Sequence, residues 1–480
     1  MNTPKISYIE CTDTEIVFHL LQTYIGRVNV DVYSPNTISP KLLGATVVVC
    51  NDISFSVPRY MCNCDGCYLR YVTSISGIQY VTHFTGDVKV HPMYPKPVSK
   101  KGLRCINIED GLSLGMHHTV IDLPIQNLIR TYPEEGTTAY INQNIEYFVH
   151  DETVADLDRQ IESYTSNDVH VTINLLVCTP VDERMRTVVQ HPRYEPRGRM
   201  SAINVTSAES CNYLEAACEF LASRYTDPEH NRQVDGVILA NEVSVQGVWS
   251  NAGPCSCHDY MKEYTRALRI AWQAGAKYWY NWRVYISLDN HWGSAMSMYG
   301  FPFLPDEVYA GQDCLDELDT FATADGDFNW NIAYHPYAYD LAMPDFYNDD
   351  KSTFLGSSPV ISFKNLSVLV DYVRVHLSVY RWSPRKIILS EQGFNSANDA
   401  TLEFVQATAY GRAFKEVMQY PEIEAFIYHS HVDNVGEEGL RLGLRRSADF
   451  DSTDNIKPIY QVFKTIEELT YDNRPIWEHY

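Results

Sequence analysis

Two glutamates stand where an apolar run stops. Glu242 ends the run in VDGVILANEV, and Glu391, 149 residues later, ends the run in RKIILSEQGF. Each reads as a carboxylate at the C-terminal end of a strand. A single glutamate of this kind is more often a solvated terminus, because strands must end in something polar. Two of them can face each other across one pocket if their strands belong to a parallel barrel, where strand ends converge on one face. Carboxyl groups about 5 to 5.5 Å apart can share the cleavage of a glycosidic bond, one attacking the anomeric carbon and the other protonating the leaving oxygen. At that separation two negative charges disfavour each other, so one keeps its proton near neutral pH.

A barrel needs eight strands alternating with helices, and the chain supplies the pattern. Eight apolar runs read as strands: LRCINIE (103–109), HTVIDLPI (118–125), HVTINLLV (170–177), GVILANE (236–242), RVYISLD (283–289), NIAYHPY (331–337), KIILSEQ (386–392) and AFIYHSH (425–431). Helical stretches lie between them, including TVADLDRQIESYT, SAESCNYLEAACEFLASRY, SCHDYMKEYTRALRIAWQAG, FKNLSVLVDYVRVHL, LEFVQATAYGRAFKEVMQY and a closing IYQVFKTIEELT, with apolar residues at three- and four-residue spacing. Glu242 then closes the fourth strand and Glu391 the seventh. The first hundred residues differ in texture. Short β-branched runs such as EIVFHL, RVNVDVY and ATVVVC, with no helix between them, predict antiparallel pairing in a small β-sandwich. The proline-rich HPMYPKPVSKKG marks the boundary. The expected organisation is an N-terminal β domain with linker over 1–100 and a (β/α)8 barrel over 101–480.

Composition narrows the partner. The chain carries 38 Lys plus Arg against 61 Asp plus Glu, a formal charge of -23, which repels nucleic acid and anionic membrane surfaces. The 34 Tyr and 8 Trp offer flat rings suited to stacking on sugars. A carbohydrate is the expected partner, whether oligosaccharide, polysaccharide or simple glycoside. No apolar run reaches the roughly 18 residues of a membrane span, and the N-terminus lacks the pattern of a secretory signal. Twelve cysteines in 480 residues are too sparse for a disulfide scaffold. A cytoplasmic location is expected, unless a signal has been removed from the chain.

The strand-four pair Asn241–Glu242, together with Glu391 ending strand seven, resembles clan A of the retaining glycoside hydrolases, and the N-terminal part looks like that of uncharacterised bacterial proteins allied to this clan. The resemblance covers residues 102 to 470. It implies a double displacement without cofactor, with Glu242 as acid/base, Glu391 as nucleophile and Asn241 on the sugar's 2-hydroxyl. His335 or Tyr337, in AYHPYAY, resembles the aromatic residue that holds the nucleophile, with Tyr334 turned to the helical layer. The aromatics His291 and Trp292 in LDNHWG, and Trp249 in VQGVWSNAG, suit sugar stacking or a subsite wall, with loop packing as the alternative. Two departures stand out. Val120 occupies the place of an arginine common on strand two, and the strand-eight tryptophan is absent, leaving His429, His431 and Asp433 of YHSHVDN as candidates for that platform.

Two rival readings keep the barrel. One is a non-catalytic carbohydrate-binding protein. The other is a metal-dependent barrel hydrolase using His117, His118, His335, His429 and His431, although its expected His-x-His falls on strand eight rather than strand one. Separately, Cys62, Cys64 and Cys67 in CNCDGC, with Cys255, Cys257 and His258 in CSCH, are spaced closely enough for zinc, free loop thiols being the alternative.

Overall fold

The computed structural model describes residues 6–11, 15–33, 42–58, 68–73, 79–83, 97–227, 231–276, 278–279, 281–295, 305–324, 327–380, 383–434, 436–437 and 439–468. The N-terminal segment forms two antiparallel sheets. Ile6–Cys11, Glu15–Leu20 and Ser54–Pro58 make one, and Leu42–Cys50, Gly26–Tyr33, Tyr68–Thr73 and Gln79–His83 make the other, in that spatial order. Alternation explains the pairing. Ile16, Phe18 and Leu20 point inward while the residues between them do not, and Phe18 stacks on Phe55 at 4.7 Å.

The barrel follows. Its strands are β1 (Lys101–Leu103), β2 (His118–Pro124), β3 (His170–Leu176), β4 (Arg232–Leu239), β5 (Arg283–Leu288), β6 (Trp330–Tyr334), β7 (Ile387–Leu389) and β8 (Ile423–Tyr428). Every neighbour pairs in parallel, β3 with β4 and β8 with β1 included, so the sheet closes into a (β/α)8 barrel. Its lumen is filled by Val120, Ile238, Tyr285, Ala333, Ile388, Ala425 and Ile427. A larger apolar layer outside packs the strands against the helices. Among the described residues, no helix is long and apolar enough to cross a membrane.

Local chemistry sets the helix starts. Ser207 and Ser210 form a reciprocal capping box ahead of Ala208–Tyr225, and the Asp399 carboxylate accepts from the amides of Thr401 and Leu402. The sequence reading is corrected in two places. The run expected as a strand over 103–109 yields only a short β1, because Asn107 accepts from the Asp110 amide and starts the helix Ile108–Ser113. The reading also places no helix between β5 and β6, yet Gly311–Ala324 is one, burying Cys314, Leu315, Leu318 and Ala322 along one face.

Candidate active site

The chain leaves β4 through a strained turn. Ala240 and Glu242 both take the left-handed backbone region, with φ of 62° and 38°. For residues with a Cβ this costs of order 1–3 kcal/mol each. The turn is held by hydrogen bonds: the Glu242 amide donates to Ser287 Oγ at 2.9 Å, and the Val245 amide donates to the Glu242 carbonyl at 2.8 Å. At β7 the chain runs from Leu389 through Ser390 to Glu391. Gly393 follows where a Cβ would lie 2.0 Å from the His429 carbonyl, so the β7 and β8 ends can approach closely only with glycine there.

These two turns bring the glutamates together. One ligand atom each of Glu242, Glu391 and His335 all lie within 4.8 Å of one another. His335, just past β6, is buried between them, its Nδ1 2.8 Å from Glu242 Oε1 and its Nε2 3.0 Å from Ser390 Oγ. Tyr337 hydrogen-bonds to Glu391. Tyr334 turns away, buried with its hydroxyl donating to the Asn290 carbonyl.

Arg104, which the sequence reading missed, completes the nucleophile's surroundings. From just past β1 its Nη2 reaches Glu391 Oε2 at 3.3 Å, its Nη1 donates to Asp122 Oδ2 at 2.8 Å and its Nε to the Ser390 carbonyl at 3.2 Å. Asn174 Nδ2 steadies the other Asp122 oxygen at 2.9 Å. Val120, meanwhile, fills the barrel lumen. The cation expected from strand two thus arrives from its neighbour. The sequence signal was slight: Arg104 follows Lys100 and Lys101 in KKGLR, and nothing in that basic run singles it out.

The two carboxyls are tuned in opposite directions. Burial would raise Glu391, but the charges of Arg104, His335 and His429 and the Tyr337 hydrogen bond outweigh it and hold the carboxyl down at about 2. Glu242 is raised, first by burial and then by the charges of Glu391 and Asp289, against the opposing pull of His335. The His335 ring is also raised, the hydrogen bond to Glu242 and the nearby carboxylates overcoming its burial. Glu242 and His335, joined by their hydrogen bond, therefore titrate as a pair rather than as independent groups. Tyr337, pushed up by burial and by Glu391, stays protonated and can donate.

The remaining predicted residues divide. Asn241 lies half-buried beside Glu242 and has no side-chain partner among the described residues. His291 pairs with Asp289 at 2.6 Å and feels the charge of Glu242. His429 Nε2 sits 3.0 Å from Glu437, with its charge reaching Glu391. Four others are placed in packing or structural roles. Trp292 is fully buried, its indole donating to the Gly356 carbonyl and its ring meeting Tyr372 edge-on at 4.8 Å. His431 is fully buried too, 2.7 Å from Asp110 in a network with Arg445 and Tyr460, and Asp433 is tied to Lys457. The Arg199 guanidinium covers the Trp249 ring at 5.0 Å. Trp292 and Trp249, expected to stack on sugar or wall a subsite, are packed against protein side chains. Cys62, Cys64 and Cys67 lie outside the described residues.

Glu242, His335 and Glu391 are also near enough to converge on a divalent cation. The contacts favour another use. Arg104 already lies against Glu391, and the His335 nitrogens are directed at Glu242 and Ser390, so the donors form an ion-pair network rather than an open coordination site. His118 does not join them: it opens β2, at the opposite end of the strand from the site, with Nε2 2.9 Å from the Ser99 carbonyl.

Residues 93–474 match the model of a family described as a family of unknown function, DUF5722. No curated protein matches the sequence. Similar solved structures include Fpglu1 from Fervidobacterium pennivoraus (15% identity, 75% of this chain and 81% of that one, TM-score 0.45). A monomeric β-xylosidase from Caulobacter crescentus CB15 is similar at 13% identity, over 79% and 71% of the two chains, with TM-score 0.46. A hyperthermophilic β-glucosidase from Pyrococcus furiosus is similar at 16% identity, over 75% and 82%, with TM-score 0.45.

Proposed function

The chain belongs to the family of unknown function DUF5722, and for it we propose the activity of a retaining glycoside hydrolase acting on a carbohydrate. The observation that carries this reading is the closeness of two oppositely tuned carboxyls: oxygens of Glu242 and Glu391 lie within 4.8 Å. An inverting enzyme needs about 6.5–9.5 Å between its carboxyls to seat a water, whereas retention works at about 5–5.5 Å.

Each residue then has a part in the double displacement. Glu391, ionised and oriented by Arg104 and Tyr337, attacks the anomeric carbon. Glu242, in its protonated form, gives its proton to the departing oxygen. The ester to Glu391 is next opened by a water whose proton returns to Glu242. Arg104 and Tyr337 stabilise the carboxylate again as it leaves, and the unclaimed Asn241 amide suits the sugar's 2-hydroxyl.

Two variants test the roles separately. Glu242→Gln should lower kcat by about 10²–10⁴-fold on glycosides with poor leaving groups, the range for losing a general acid, and by less on activated aryl glycosides that need little protonation. Glu391→Gly should be inactive until azide is added, then yield a glycosyl azide of inverted configuration. Full activity in either variant, or azide rescue with retained configuration, overturns the assignment.

A further inference from the structure

Cys257 and Cys314, left unused by the proposed chemistry, lie face to face. Cys257 opens the helix Cys257–Ala276, which begins soon after the turn carrying Glu242. Cys314 sits in the first turn of Gly311–Ala324, and the two helices pack side by side. Their sulfurs are 4.0 Å apart, across 57 residues of sequence. Cys314 is buried and Cys257 only partly so. We propose that Cys257 and Cys314 are a disulfide-forming pair that staples these two helices together under oxidising conditions.

Geometry and chemistry both favour this pair. A disulfide bond is about 2.05 Å long, so the sulfurs must close a further 2 Å or so. Cys257 is the first residue of its helix, where no preceding turn blocks a side-chain rotation. The neighbouring Cys255 does not compete, being buried with its sulfur 3.6 Å from the Tyr309 hydroxyl. The contact with Cys257, together with burial, pushes the Cys314 thiol up, leaving Cys257 as the entering nucleophile. With a small disulfide such as oxidised glutathione, the Cys257 thiolate attacks one sulfur and expels a glutathione thiolate. Cys314 then loses its proton, attacks the Cys257 sulfur of the mixed disulfide and expels the second glutathione. The protein gives up two electrons and two protons, and the reagent's S–S bond becomes two thiols.

The consequence lies at the barrel rim. The amides of Gly311 and Gln312 donate to the carbonyls of His291 and Trp292, so the second helix is anchored to the loop after β5. The staple would tie that loop to the one after β4. This inference stands apart from the hydrolase reading and is tested without any substrate.

The full chain is incubated with graded ratios of oxidised to reduced glutathione, alkylated, and mapped by mass spectrometry without reduction. Expected is one cross-linked peptide pair containing Cys257 and Cys314, lighter by two hydrogens, protected from alkylation and released by dithiothreitol. Closing a loop of this length should raise Tm by roughly 3–8 °C. Cys257→Ser should match the wild type in Tm when reduced and lose the rise on oxidation, and Cys314→Ala should leave Cys257 as a glutathione adduct. The proposal is overturned if both thiols stay open to alkylation in fully oxidised buffer, if Cys257 in the wild type stops at the glutathione adduct, if either residue pairs with another cysteine, or if Cys257→Ser keeps the Tm rise.

Discussion

Replacing Arg104 by methionine should move the nucleophile's ionisation into the working pH range. Glu391 sits at about 2 against an ordinary 4.5 although burial acts the other way. That displacement corresponds to about 3 kcal/mol in favour of the ionised form. The Arg104 charge is the largest contribution opposing burial, so without it Glu391 should rise from that value of about 2. The sign follows from linkage: a depressed carboxyl contributes stability that is present above the unfolded value of 4.5 and lost as pH falls through about 2. The variant forfeits part of that contribution at neutral pH, offset by relief from burying the guanidinium. The assay is kcat/KM from pH 4 to 8 on an aryl glycoside that the wild type cleaves. The wild type should show no acid limb from Glu391 in this range, while Arg104→Met should show one, steepening toward about tenfold per pH unit on its acid side. Arg104→Lys should restore the wild-type limb in part. Superimposable acid limbs in wild type and Arg104→Met would refute the reasoning.

Other consequences can be measured alongside. Asn241→Ala should lower kcat/KM by roughly 10–100-fold on ordinary glycosides but far less on 2-deoxy glycosides, which have no hydroxyl to lose; equal losses on both would remove Asn241 from that role. Trp292→Phe should reduce stability by about 1–3 kcal/mol through lost packing and the lost indole bond, with KM unchanged. A raised KM with intact stability would return Trp292 to the pocket. Chelation with EDTA should leave kcat/KM unchanged, and activity lost to EDTA and regained with zinc or manganese would transfer Glu242, His335 and Glu391 to a metal site.

The barrel was legible because apolar strand runs alternate with helical stretches of a different period, and eight such alternations can close in only a few ways. The glutamate pair was legible for a related reason: apolar runs ending at Ala240 and Leu389 put Glu242 and Glu391 within two residues of where those runs stop. Arg104 was hidden because the alternation of LRCINIE extends β1 on paper, whereas Asn107 caps a helix there and frees Arg104 to turn toward β7. Trp292 and His431 show the opposite failure. Their side-chain types suit sugars, yet Tyr372 and the Asp110–Arg445–Tyr460 network enclose them, contacts made across long sequence separations that no local pattern reveals.

The most direct measurement is the configuration of the sugar at the moment of release. Proton NMR can follow the anomeric signals as the wild type hydrolyses a glycoside, before mutarotation equilibrates them. With Glu242 and Glu391 acting in two successive displacements, the first anomer to appear has the configuration of the substrate. First appearance of the opposite anomer would contradict the account, because a single displacement by water has no place for Glu391 as nucleophile.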